Sequence, residues 1–247
     1  MNVLVLGGTG ATGQWVVKDL LAHGHNVVAL VRNTQTLARS TQTLAQSDHG
    51  LAEHSQLTQI QGTALSLDES TLSEQIALAD AVISCLGHNL TLKGMYGAPQ
   101  KLVTDSLQRI VNLTDPNRAQ PLKIVLMNSS GVRNLDQPEP VSCGQHIVLG
   151  LLRVLIPPHR DNEHAANYLR TQCANIPHIQ WVSVRPDSLV NSDAVSHYDL
   201  HPAPTRSAIF DAGKVSRINV ANLMSRLVRE DSLWETWRGK MPVIYNN

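Results

Sequence analysis

No apolar run in this chain approaches the ~20 residues that a membrane-spanning helix needs. The most apolar piece, residues 147–156, is interrupted by Arg153 and stopped by Pro157 and Pro158. It reads as a helix covering apolar surface, and no membrane partner is expected. Neither sign of charge is in excess: 20 Lys and Arg stand against 20 Asp and Glu. That balance gives no support to nucleic acid or an anionic membrane surface as a partner. Aromatic residues make up only 4%, too few for base-stacking platforms. The 3 cysteines, Cys85, Cys143 and Cys173, are far apart and lack C-x-x-C spacing, as expected of reduced thiols in the cytoplasm. The strand pattern starts at residue 2 or 3, so no signal or transit peptide is expected. The histidines are scattered without metal-ligand spacing, so no metal is expected. A G-x-S-x-G elbow, an H-E-x-x-H helix and a phosphate-loop lysine are all missing.

What the chain does have is concentrated at its start. Val3 to Leu6 is a short apolar run rich in β-branched residues, as a buried parallel strand should be. Gly7, Gly8, Gly10 and Gly13 follow at once. Residues 14–23 carry apolar side chains at helical spacing, with Gly24 placed as a C-cap. The pattern is strand, glycine-rich turn, helix. Glycines let a backbone turn tightly and approach a pyrophosphate, and the helix N-terminus then faces that anion. A second strand pattern at Asn26–Val31 completes the context for a dinucleotide site.

The rhythm continues along the chain. Further strands are expected at Leu57–Gln61, Ala81–Cys85, Lys123–Met127, Gln180–Val184 and Pro242–Tyr245. Helices are expected at Ala11–His23, Thr34–Gln46, Leu67–Leu78, Pro99–Leu113, Gln145–Leu155, Asp161–Gln172 and Val220–Arg229. Alternation of this kind predicts an α/β fold: a Rossmann-type, doubly wound parallel sheet. No linker divides residues 1–247, so a single domain is expected, with substrate-side elements near 143–160 and 187–215 forming a small C-terminal lobe. Residues 197–210, with Pro202 and Pro204, read as a loop over the site. Residues 34–40 and 41–47 are tandem heptads differing only at Arg39 and Gln46. They read as a duplication that lengthens a surface helix beside the adenine end of the crevice.

Arg32 ends the second strand pattern. A carboxylate at that place accepts from the ribose 2′-hydroxyl of NAD, whereas an arginine accommodates the 2′-phosphate of NADP. The sequence Val31-Arg32-Asn33 has no carboxylate, so NADP(H) is favoured over NAD(H). The common Tyr-x-x-x-Lys acid is absent. The residues four places before Lys18, Lys93, Lys101, Lys123, Lys214 and Lys240 are Gln14, Asn89, Gly97, Ala119, Phe210 and Thr236.

Residues 7–13 (GGTGATG) with Arg32, the segment Ser129-Ser130-Gly131-Val132, the WVSVRP run at 181–186, and the segments 213–221 and 239–246 resemble an atypical short-chain dehydrogenase/reductase. The resemblance is to the NAD(P)H-binding group that includes flavin/biliverdin-IXβ reductase and NmrA-like proteins, and it covers nearly the whole chain. It implies that Gly7, Thr9, Gly10, Ala11, Thr12 and Gly13 wrap the pyrophosphate and that Arg32 meets the 2′-phosphate. It places Cys85, Leu86 and Gly87 beside the adenosine and ribose, Ser129 and Ser130 near the nicotinamide, and Pro186 at the ring's border. The chain departs from the group at Gly62-Thr63, where Gly-Asp is usual, and at Asp187, where Gly usually follows Arg-Pro. Residues 143–158 look like an inserted helix.

Some residues carry two readings. Ser129 and Ser130 either serve the nicotinamide side or satisfy backbone groups at a strand end. Asp161 reads as the N-cap of the helix it begins. His159 is either a surface residue or a proton donor, so Ser130 and His159 are the catalytic candidates. Tyr96 is a loop aromatic or a cover for the site. The expected function is an NADPH-dependent oxidoreductase reducing a small conjugated acceptor such as a flavin or quinone, working as a monomer or a homodimer. The alternative is a non-catalytic NmrA-like NADP(H)-binding redox sensor. A sugar-nucleotide epimerase or dehydratase is disfavoured without Tyr-x-x-x-Lys.

Overall fold

A computed structural model describes residues 1–32, 54–88, 91, 96–139 and 142–247. The helix expected at Thr34–Gln46, with its tandem heptads, lies outside the described residues. Strands β1 (Asn2–Leu6), β2 (Asn26–Val31), β3 (Leu57–Gln61), β4 (Ala81–Ser84), β5 (Leu122–Met127) and β6 (Ile179–Pro186) pair in parallel. After β6 come β7 (Ser188–Val190), β8 (Tyr198–His201), β9 (Lys214–Ser216) and β10 (Val243–Asn246). Among the described residues the main sheet has the order β3-β2-β1-β4-β5-β6-β10-β8, with β7 and β9 paired separately. The chain runs outward from β1 to β3, then crosses back to β4 on the other side of β1. The C-terminal ends of β1 and β4 therefore flank the switch point where doubly wound sheets bind ligands.

The helices are α1 (Gly13–Ala22), α2 (Glu69–Leu78), α3 (Leu102–Asn112), α4 (Cys143–Leu155), α5 (Pro157–Thr171), α6 (Arg217–Arg229) and α7 (Asp231–Trp237). Side chains of a strand alternate between faces, and here both faces are covered. Leu4, Leu6, Val82, Ile124 and Leu126 pack with Leu72 of α2, Leu107 of α3 and Leu169 of α5. Val3, Val5, Ile83, Val125 and Val182 pack with Val17 and Leu20 of α1 and Leu223 and Leu227 of α6. That is why the strands read as continuous apolar runs. The fold is the expected Rossmann-like α/β type.

Two local expectations are corrected. Residues 197–210 are not all loop. Tyr198–His201 forms an edge strand antiparallel to β10, so the sheet is not wholly parallel. The helix expected to start at Asp161 starts at Pro157, with Pro at its first positions. The fixed φ of proline and its missing N–H suit that place. Asp161 lies a full turn inside the helix and does not cap it.

Candidate functional site

The glycine turn is built by close approach. Gly7 follows β1 with φ +76, and a Cβ there would lie 2.9 Å from the carbonyl oxygen of Cys85, just past β4. A Cβ on Gly13, the first residue of α1, would overlap the carbonyl oxygen of Gly7. Only glycine serves at both places. Gly10 N–H donates to Gly7 O at 2.9 Å, and Gln14 N–H to Gly10 O at 3.0 Å. Between them, the N–H groups of Ala11, Thr12 and Gly13 have no backbone partner among the described residues. The cap residue Thr12 makes no side-chain cap bond, and the first turn has no acidic residue. Unpaired donors at the positive end of a helix, with no carboxylate to occupy them, fit a pyrophosphate. Thr9 stands half-buried on the turn.

Arg32 directly follows β2 and is exposed, without an ion-pair partner among the described residues. Across from it, Thr63 is held in a local turn by Ser66, whose Oγ accepts from the Thr63 N–H at 2.8 Å. Neither position supplies a carboxylate. Cys85, Leu86 and Gly87 follow β4. Cys85 continues the pairing with β1 through its N–H to Leu6 O at 2.9 Å. Burial pushes its thiol up to about 12, so it has no thiolate character at neutral pH. A Cβ at Gly87 would meet open space.

Ser129 and Ser130 lie past the end of β5. The N–H of Ser130 donates to the carbonyl of Pro186, the last residue of β6, at 2.9 Å. Ser129 Oγ accepts from Gly131 N–H at 3.2 Å, so its hydroxyl supports the turn. The Ser130 hydroxyl is a neighbour of the Asp187 carboxylate and favours its charged form. Burial raises the pKa of Asp187, while the nearby Gly213 N–H, Ser130 hydroxyl, Ser188 N–H and Arg206 charge oppose that rise. The Gly213 N–H lies 3.0 Å from Asp187 Oδ2. The departure from the usual glycine at 187 thus places a buried carboxylate against Ser130.

His159 reaches the same strand end. Its Cε1 lies 3.7 Å from where a Gly131 Cβ would stand, and Ser129 Oγ lies 3.6 Å from that point. The His159 ring is largely buried, with Nε2 3.5 Å from Glu163 Oε1 and no hydrogen-bond partner. Glu163 is engaged elsewhere, accepting from Arg153 at 2.6 Å on each oxygen. Burial would raise Glu163, but Arg153 and His159 bring it down to about 2. Tyr96 is exposed and donates to the Leu155 carbonyl at 2.7 Å, which ties its loop to the end of α4.

Sequence reading missed a second cluster. The Asp161 carboxylate accepts from the N–H groups of Val103 and Thr104 at 2.8 and 3.0 Å and from Thr104 Oγ1 at 2.6 Å. It therefore caps α3, a neighbouring helix, and not its own. His88 Nε2 lies 2.8 Å from the same carboxylate. Asn128 Nδ2 donates to Asn162 O at 3.0 Å. The first turns of α5 are thus fastened across the ends of β4 and β5. A cavity of about 380 Å³ lined by Arg170, Cys173 and Trp181 lies at the other end of β6, away from these strand ends. Among the described residues no cluster of His, Cys, Asp or Glu suits a metal ion, and no helix is long and apolar enough to cross a membrane.

Fold and glycine turn together define a dinucleotide-binding protein of Rossmann type. The chain belongs to the NAD(P)H-binding family, whose model matches residues 7–231. No curated protein sequence matches it. Among solved structures, a candidate NADH-flavin reductase from Streptococcus pneumoniae TIGR4 superposes with a TM-score of 0.64 at 16% identity, covering 100% of both chains. ChuY, an anaerobillin reductase from Escherichia coli O157:H7, gives 0.66 at 18% identity, covering 100% of this chain and 97% of its own. A short-chain dehydrogenase/reductase from Veillonella parvula DSM 2008 in complex with NADP gives 0.63 at 15%, covering 99% and 94%. At these identities the likeness is one of fold.

Proposed function

We propose that this chain is an NADPH-dependent reductase of a small conjugated acceptor such as a flavin or quinone. The observation that carries the reading is the convergence of Ser130, Asp187 and His159 on the ends of β5 and β6, beside the switch point with its open glycine turn. The unpaired N–H groups of residues 11–13 bind the pyrophosphate, and Arg32 binds the 2′-phosphate. The bound cofactor supplies a hydride. The protein orients the two reactants and excludes water from them. A conjugated acceptor holds its own developing negative charge, which accounts for the missing Tyr-x-x-x-Lys. Ser130, fixed by its N–H bond to Pro186 and by Asp187, presents a hydroxyl at the nicotinamide side. His159, whose ring edge lies against Gly131 with Nε2 facing Glu163, is the proton donor to the reduced acceptor in this reading.

The test is NADPH absorbance decay with a panel of flavins, quinones and conjugated carbonyls. Ser130→Ala should lower turnover more than NADPH affinity, which marks a contact made in the transition state. His159→Ala should flatten the pH dependence between about pH 6 and 8. If no acceptor accelerates decay while NADPH still binds, the chain is a sensor and not an enzyme.

A further inference from the structure

We propose that His88, held by Asp161, binds the ribose hydroxyls on the nicotinamide half of the dinucleotide. The proposal rests on the dinucleotide reading of the switch point and adds a residue that no glycine motif contains.

The Asp161 side chain is 0% exposed and that of His88 is 4% exposed. Three donors from α3 converge on this carboxylate, from Val103 N–H, Thr104 N–H and Thr104 Oγ1. They already satisfy the helix cap, so the His88 bond is additional to what α3 requires. A carboxylate that accepts from four groups makes Nε2 of His88 the protonated nitrogen. In the neutral ring Nδ1 is then a lone-pair acceptor, and it has no hydrogen-bond partner among the described residues. Fixing one ring nitrogen with a buried carboxylate, so that the other is aimed and keeps one tautomer, is how an imidazole is prepared for a ligand.

The position of the ring decides which ligand atom it meets. His88 follows β4, the strand between β1 and β5 in the sheet. Asp161 shares the first turns of α5 with His159, which packs against Gly131 at the end of β5. His88 therefore lies between the glycine turn and Ser130. A dinucleotide whose pyrophosphate sits on the turn and whose reactive ring reaches Ser130 must pass its second ribose across this gap. That ribose offers hydroxyl donors to Nδ1. Asp161 acts through His88 and is a positioning residue.

The experiment is calorimetric titration of the full chain with NADPH and, separately, with 2′,5′-ADP, which lacks the nicotinamide ribose. His88→Ala should weaken NADPH roughly tenfold, the loss of one neutral hydrogen bond, and leave 2′,5′-ADP unchanged. His88→Asn, whose amide oxygen can accept, should recover part of the loss. In the wild type, the ¹⁵N resonance of His88 Nδ1 should shift with NADPH and not with 2′,5′-ADP. Equal losses for both ligands in His88→Ala, or no loss and no shift, overturn the assignment while leaving the dinucleotide site intact. A wild type that binds neither ligand overturns the dinucleotide reading itself. If His88→Ala does not fold, as judged by circular dichroism, His88→Asn and the resonance decide.

Discussion

Arg185 and Glu139 form an ion pair of 2.7 Å in which the side chains are 0% and 2% exposed. The other donors of Arg185 go to carbonyls: Nε to Met241 at 2.8 Å, Nη1 to Val132 at 3.0 Å and Nη2 to Pro202 at 3.1 Å. Glu139 in turn accepts from the Asn134 N–H at 3.0 Å. One guanidinium thus fastens β6 to the loop after β5, to the segment after β8 and to the approach of β10. That frame holds Ser130 and Asp187 against each other. Removing one partner of a buried pair strands the other charge, at about 3–5 kcal/mol. Glu139→Gln and Arg185→Met should each lose about that much in urea unfolding. The double variant Arg185→Met/Glu139→Gln should lose less than the sum. Losses that simply add would show that the two residues act separately.

The glycine turn yields a graded steric prediction. A Cβ at Gly13 overlaps Gly7 O, whereas one at Gly10 stands 3.2 Å from the same oxygen. Gly13→Ala should therefore abolish NADPH binding and destabilise by about 1–3 kcal/mol through forced backbone shifts. Gly10→Ala should stay close to the wild type in stability. Thermal melting with and without NADPH separates the two. A Gly13→Ala variant that binds and melts normally would mean that the turn has been misread.

Arg32 has no ion pair among the described residues to give up, so its removal should touch the cofactor more than the fold. Losing one charge-assisted contact costs about 1.5–3 kcal/mol. Arg32→Ala should weaken NADPH roughly ten- to a hundredfold and leave NADH almost unchanged. Fluorescence titration with both cofactors checks this, and equal losses would remove the case for NADP.

Much of the frame was legible because its signals are local. The bounds of β1 and β2 fall where the apolar runs of residues 2–6 and 26–31 fall, and those of β3 where Leu57 and Ile60 mark the expected strand 57–61. The glycine spacing marks the turn, and the strand expected at Gln180–Val184 lies within β6, which extends to Pro186. What escaped depends on distant partners. Tyr198-Asp-Leu-His is a strand only because β10 lies beside it; its composition and the nearby prolines argue for a loop. Asp161 has the chemistry of a cap, but the N–H groups it caps belong to Val103 and Thr104, 58 and 57 residues back in the chain. His88 sits in no motif, and only the fold brings it to Asp161. Pairings of that kind leave no periodicity to read.

Asp187 makes stability depend on pH in a direction that can be checked. Burial raises the pKa of its carboxyl, and the Gly213 N–H bond, the nearby Ser130 and Ser188 donors and the Arg206 charge oppose this only in part. The charged group facing it is Arg206, and the neutral Tyr245 phenol lies nearby. The folded value stands above the unfolded one of about 3.9, so the fold prefers the protonated acid. That contribution is fully present below about pH 3.9 and is lost as pH rises through the raised folded value. Asparagine at 187 keeps the shape and can still accept from the Gly213 N–H, but it never ionises. Asp187→Asn should melt close to the wild type near pH 3.5 and above it at pH 7, with the gap opening between. Differential scanning calorimetry across that range reads the sign. A gap that is widest in acid and closes toward pH 7 would show that the carboxylate, and not the acid, is the form the fold prefers. Ser130 would then face a fixed negative charge, and an anionic acceptor would be poorly matched to the site.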